Sequence, residues 1–104
     1  DMIVVLGDFN SPHGSAPWRT LCDPAEGGIL ADAFDIALEA DDGDSFHGFT
    51  GKAHRGRIDW ILCSPNVRVR SAEVERVSYD ERYPSDHFPV VGVLEAKVGP
   101  AKGE

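Results

Sequence analysis

Three short runs of this 104-residue chain place carboxylate, amide and imidazole groups against apolar stretches: Gly7-Asp8-Phe9-Asn10, Arg57-Ile58-Asp59-Trp60 and Ser85-Asp86-His87-Phe88-Pro89. In extended backbone, residues two apart face the same way, so Asp8 and Asn10 project together while Phe9 anchors the opposite side. Carboxylate and amide oxygens suit hard cations such as Mg²⁺ or Mn²⁺. A histidine held by a second carboxylate suits acid–base or charge-stabilising work. Phosphoester hydrolysis needs both. Each run taken singly has an ordinary explanation. Gly-Asp-x-Asn is common turn chemistry, an Asp-His pair before a strand is usually a surface pair, and Asp59 has Arg57 nearby as an ion-pair partner. The combination of all three carries the argument.

A fourth run, Lys52-Ala53-His54-Arg55-Gly56-Arg57, puts three positive charges within six residues of an otherwise acidic chain, directly before the Asp59 strand. Lys52, Arg55 and Arg57, with His47 upstream, are candidates for holding a substrate phosphate. The competing reading is a mobile basic hairpin tip, with His47 beside Gly48 serving packing or a turn.

The elements that must carry these residues follow from pattern. Ile3 to Leu6 form a continuous apolar run ending at Gly7, the pattern of a strand covered on both faces. Ser15 before Ala16-Pro17-Trp18 predicts a helix N-terminus, with Trp18 and Leu21 turned inward until Asp23-Pro24 stops it. A second short helix is expected over residues 30–38, followed by a solvated acidic loop over 39–44. Beyond Ser45 the period becomes two. Arg57, Asp59 and Ile61 share one face of a strand and Ile58, Trp60 and Leu62 the other. Val67 and Val69 alternate with Arg68 and Arg70, whose side chains read as a wet face, and Pro89 opens a last strand over 90–94.

Composition excludes several classes. Ten basic against 18 acidic residues leave a net charge of −8, so no global basic field attracts a polyanion. No apolar run approaches the ~18 residues of a membrane span, and neither end resembles a signal peptide. Cys22 and Cys63 lack the spacing of a zinc site and read as small buried apolar side chains. Gly43 in the acidic loop cannot be the sixth position of a calcium loop, because Leu38 and Phe49 then stand where carboxylates are required.

GDFNS, RIDWIL and SDHFPV, in that order, resemble the C-terminal half of the endonuclease/exonuclease/phosphatase family of metal-dependent phosphodiesterases and phosphomonoesterases. GSAPW and SFHGF are similar to segments of its bacterial members. The resemblance runs from Ile3 to Leu94. It implies an α/β fold over residues 1–98, half of a four-layer α/β/β/α sandwich, mostly one mixed or antiparallel sheet with flanking short helices, followed by a flexible tail at 99–104. It also implies roles. Asp8 orients or deprotonates the attacking water, Asn10 stabilises the oxyanion, and His87 faces the scissile phosphate with Asp59 fixing its tautomer. Asp86, with Asp8, lies on or near a Mg²⁺ or Mn²⁺ ion. The family's first half supplies an asparagine, a metal-binding glutamate and a further histidine, none of which has a matching motif here, so the isolated chain is expected to be inactive. The implied substrates are phosphoesters: nucleic acid, a phospholipid head group or a sugar phosphate. The alternative is a non-catalytic binding module of the same fold. A serine hydrolase is a poorer reading, since no G-x-S-x-G elbow exists.

Overall fold

The computed structural model describes residues 1–97, so the tail expected at 99–104 lies outside the described residues. The chain runs through β1 (Val4–Asp8), α1 (Ala16–Cys22), a 3₁₀ turn (Pro24–Glu26), β2 (Ala31–Asp32), α2 (Ala33–Ile36), β3 (Glu39–Asp41), β4 (Asp59–Cys63), β5 (Val67–Val74) and β6 (Val90–Ala96). The α/β class is as the sequence implies. The strands divide between two three-stranded sheets, β1-β4-β2 and β3-β5-β6, instead of lying mostly in one. The division has a simple cause. β4 already has β1 antiparallel on one edge and β2 antiparallel on the other, so the strand that follows it through the turn at Pro65-Asn66 has no edge left to join. β5 crosses into the second sheet, where β3 pairs with it in parallel and β6 antiparallel.

Alternation along β4 then serves two cores. Trp60 and Leu62 pack under α1 with Cys22, Trp18, Leu21, Val5 and Phe9, and the Phe9 and Trp60 rings stack at 4.3 Å. Ile61 and Cys63 face the second sheet and join Phe34, Val67, Val69, Ala72, Val74 and Phe88. The layers are helix, sheet, sheet. Gly92 permits their close approach, since a Cβ there would meet the Ile61 side chain at 3.1 Å. Both cysteines are buried and free. Burial pushes the Cys22 thiol up to about 11, with the Asp32 and Asp35 charges adding to the effect.

α1 starts after Ser15 in extended backbone, with proline in its first turn, and stops at Asp23, whose carboxylate accepts the Ala25 N–H. The second helix is four residues long, shorter than residues 30–38. Ala31 and Asp32 pair with Cys63 and Leu62 as β2, and Asp32 caps the helix by accepting the Phe34 N–H at 3.0 Å. The acidic segment at 39–41 forms β3, led in by the Leu38 N–H donated to the Val69 carbonyl.

β1 departs from the expected double coverage. Val4 and Leu6 pair with Cys63 and Ile61 and so share their face, yet β1 stands at the sheet edge and Leu6 is 68% exposed. Val91 and Val93 on the edge strand β6 are also exposed.

One ion pair lies inside this framework. Arg57 Nη2 donates to Asp32 Oδ2 at 2.9 Å and to Oδ1 at 3.1 Å, with the two side chains 2% and 0% exposed. Its guanidinium also lies 3.9 Å from the centre of the Phe34 ring. Removing one partner strands a buried charge, which costs about 3–5 kcal/mol. Arg57→Met and Asp32→Leu are each expected to lose that amount in urea denaturation, and the double substitution to lose less than the sum. Single variants within 1 kcal/mol of wild type, roughly the worth of an exposed pair, would show that the bridge is not a structural anchor.

Candidate active site

Asp8 ends β1 and Asp59 begins β4, and the two stand directly opposite each other in the antiparallel register. Like charges so placed repel. His87 relieves the repulsion by lying against both carboxylates. Its Nδ1 is 2.6 Å from Asp59 Oδ2, and its Nε2 is 3.6 Å from Asp8 Oδ2 and 3.9 Å from Asp86 Oδ1. A carboxylate only accepts, so Nδ1 carries the proton toward Asp59 and Nε2 faces the remaining acids. Asp59 and the imidazole are largely enclosed, while Asp8 and Asp86 stand 41% and 46% exposed at the mouth. The enclosed pair positions; the open pair can meet a ligand.

The contact between Asp59 and His87 is not made by neighbouring strands. His87 lies in the loop before β6, and the segment Ser45–Phe46 joins it to β4. Phe46 forms isolated β-bridges with both His54 and His87, and its ring meets the His87 ring edge-on at 5.3 Å. Ser45, fully buried, accepts the Ile58 and Asp59 N–H groups on its hydroxyl.

Asn10 lies past the end of β1 in left-handed backbone (φ 52°), and its N–H donates to Asp8 Oδ1 at 2.9 Å. Turn chemistry and a site thus coincide here: the bond aims one Asp8 oxygen at the turn and leaves Oδ2 toward His87. Asparagine adopts left-handed backbone more readily than other side-chain-bearing residues, which suits it to this turn.

The four phosphate candidates separate. Lys52 and Arg55 are exposed, and the Arg55 guanidinium lies 5.5 Å from the Phe46 ring centre. Arg57 takes a structural place. It is buried, bound to Asp32 and Asp42, and donates to the Asp59 carbonyl, so no face remains for a phosphate. His47 also lies inside. It is buried against Phe88 and Tyr83 at ring distances of 4.3 and 4.6 Å, and its Nδ1 accepts the Phe49 N–H.

Ligand atoms of Asp8, Asp59 and His87 lie within 4.8 Å of one another, close enough to share a cation. Asp86 Oδ1 lies 3.9 Å from the same imidazole, and Asp8 and Asp86 are the carboxylates that stand open at the mouth. Both are hard oxygens, which fit Mg²⁺ or Mn²⁺. A second cluster, His13, Asp32 and Asp35, fits a metal less well, since Asp32 is committed to Arg57 and Trp18.

The sequence model of the endonuclease/exonuclease/phosphatase family matches residues 1–87. No curated protein matches the chain. Among solved structures, a mannosyl-6-phosphatase of Bacteroides thetaiotaomicron is 27% identical with a TM-score of 0.77, over 90% of this chain and 38% of its own. An endonuclease/exonuclease/phosphatase of Bacteroides vulgatus is 30% identical with a TM-score of 0.77, over 92% and 37%. A family protein of B. thetaiotaomicron is 25% identical with a TM-score of 0.79, over 89% and 35%. The chain spans less than two fifths of the length of each.

The electrostatics of His87 are measurable. Burial is the largest single influence and disfavours the charged ring, but the Asp59 hydrogen bond and charge, with Asp8 and Asp86, together outweigh it and raise the pKa above the ordinary 6.5. A raised pKa contributes stability that is complete below pH 6.5 and lost as pH rises through the folded value. An NMR titration of the metal-free protein is expected to place the His87 midpoint above 6.5 and to find it lower in Asp59→Asn. An unchanged midpoint in that variant would exclude Asp59 as the raising partner.

Proposed function

This chain belongs to the endonuclease/exonuclease/phosphatase family, and from that premise we propose that it carries one side of a metal-dependent phosphoester hydrolase site. The observation that supports this reading best is the imidazole placed between Asp59 and Asp8, with Nδ1 hydrogen-bonded to Asp59 and Nε2 facing Asp8 at 3.6 Å, beyond hydrogen-bond distance.

Phosphoryl transfer is largely positioning plus neutralisation of charge on the non-bridging oxygens. Protonated His87 presents Nε2–H to the phosphate, and Asp59 fixes the ring and stabilises its charge. Asp8 orients the attacking water and takes its proton, and the amide of Asn10 donates to the oxyanion. Asp86 and Asp8 would hold Mg²⁺ or Mn²⁺, which when bound would supply Lewis-acid neutralisation of the phosphate. Lys52 and Arg55 are the cations left to meet an outlying anionic group of the substrate. Among phosphoesters, the likeness to a mannosyl-6-phosphatase makes a sugar phosphate the first class to test.

We further propose that residues 1–98 are the C-terminal half of the domain and that its other half completes the metal site. The share of the matched structures that the chain covers supports this, as do the exposed apolar faces of β1 and β6, of a kind that marks an interaction surface.

In a protein carrying the complete domain, Asp8→Asn and His87→Ala are each expected to lower kcat by about 10²–10⁴-fold, the usual worth of a positioned acid or base. Chelation is expected to abolish turnover and Mn²⁺ or Mg²⁺ to restore it. Turnover should also decline as pH rises through the His87 midpoint. Chelator-resistant hydrolysis of a sugar phosphate would end the metal-dependent reading, and turnover by residues 1–104 alone would end the half-domain reading.

A further inference from the structure

Asp59 and His87 sit on segments that share no strand pairing, so something must hold their backbones at the separation that makes a 2.6 Å contact. On one edge β4 has β1 along its whole length. On the other, β2 reaches only Leu62 and Cys63, so no strand covers the Asp59 end. In place of a strand, the Ser45 hydroxyl accepts two successive amides, Ile58 N–H at 3.0 Å and Asp59 N–H at 3.2 Å. The Ser45 carbonyl accepts the Phe88 N–H at 2.7 Å, and its own N–H donates to the Gly56 carbonyl at 3.3 Å. One fully buried residue therefore holds the amide of Asp59 with its hydroxyl and the residue after His87 with its main chain. From the far side, Arg57 Nη1 donates to the Asp59 carbonyl at 3.2 Å.

We propose that Ser45 is a positioning residue for the Asp59–His87 pair, its hydroxyl standing in for the strand that β4 lacks at that end. Its kinetic consequence rests on the hydrolase reading; its geometric one does not. Ser45→Ala leaves the main-chain bond to Phe88, the β1 pairing and the Arg57 contact in place but removes the hold on the Asp59 N–H, so the carboxylate loses one constraint on its distance from Nδ1. Misplacement of that size at a catalytic group costs up to about 10²-fold in rate.

The test uses a protein carrying the complete domain, with two readouts: turnover of a sugar phosphate, and the low-field NMR resonance of the His87 Nδ1 proton held by Asp59. Ser45→Ala is expected to lower kcat by roughly 10- to 100-fold with KM changed by less than about twofold, because orientation and not ground-state binding is lost. The low-field proton should weaken or vanish with it. Ser45→Thr keeps the hydroxyl and should restore both. Ser45→Cys keeps the volume but offers a poor acceptor, and it decides the matter if the alanine variant does not fold. A folded Ala or Cys variant with the proton in place and kcat within about twofold of wild type would overturn the proposal. So would a threonine variant as impaired as alanine, since packing would then be the cause. If the wild-type protein turns over no phosphoester, the hydrolase reading fails, while the proton in the three variants still decides the role of Ser45.

Discussion

A single guanidinium organises the interior of this acidic protein. Arg57 is, among the described residues, the buried cation through which Asp32, Asp42 and the Asp59 carbonyl are gathered, and its guanidinium lies over the Phe34 ring. Arginine suits this place because its planar fork satisfies several oxygens at once and remains charged when buried. Through Asp32 it ties β2 and the cap of α2 to β4. Through Asp42 it fastens the otherwise solvated acidic segment to the core. Through the Asp59 carbonyl it reaches the residue that orients His87. Net charge thus serves structure here: acidic groups that would repel one another converge on one cation.

The site repeats the device on a smaller scale. Asp8 and Asp59 face each other across two strands, an arrangement that ordinary sheets avoid, and the imidazole lies against both. The same electrostatics that make the pair tolerable make His87 basic. Asp59 is the more enclosed carboxylate and Asp8 the more open, which places Asp59 to orient the ring and Asp8 to meet solvent.

Much of this was legible before any coordinates. Ordered motifs pointed to Asp8, Asp59 and His87, and the period-two pattern set Trp60 and Leu62 apart from Asp59 and Ile61. The contact between Asp59 and His87 was expected, but its scaffolding was not, because the link runs through Ser45 and Phe46 and leaves no periodic trace. The burial of Arg57 and His47 is illegible in the sequence for a related reason. A basic side chain in a glycine-punctuated loop carries no sign of burial, and only tertiary structure supplies the Asp32 that takes Arg57 inside. The short second helix escaped as well. Its first residues pair with β4, and that long-range bond overrides the local pattern. At Asn10 the turn chemistry of the motif is observed directly, and the same bond fixes how Asp8 is presented toward His87.

Gly92 bears on more than packing. It lets Ile61 of the first sheet settle against the second, and the Asp59–His87 contact spans the same seam, with Asp59 on one sheet and His87 entering the edge strand of the other. The dyad is therefore a gauge of how closely the sheets are pressed together. A slip of half an ångström that the hydrophobic layer would absorb through rotamer changes is a large fraction of the tolerance of a short hydrogen bond. The separation of Nδ1 and Asp59 thus reads out the spacing of the two layers at a point where neither sheet's own strand pairing would report it.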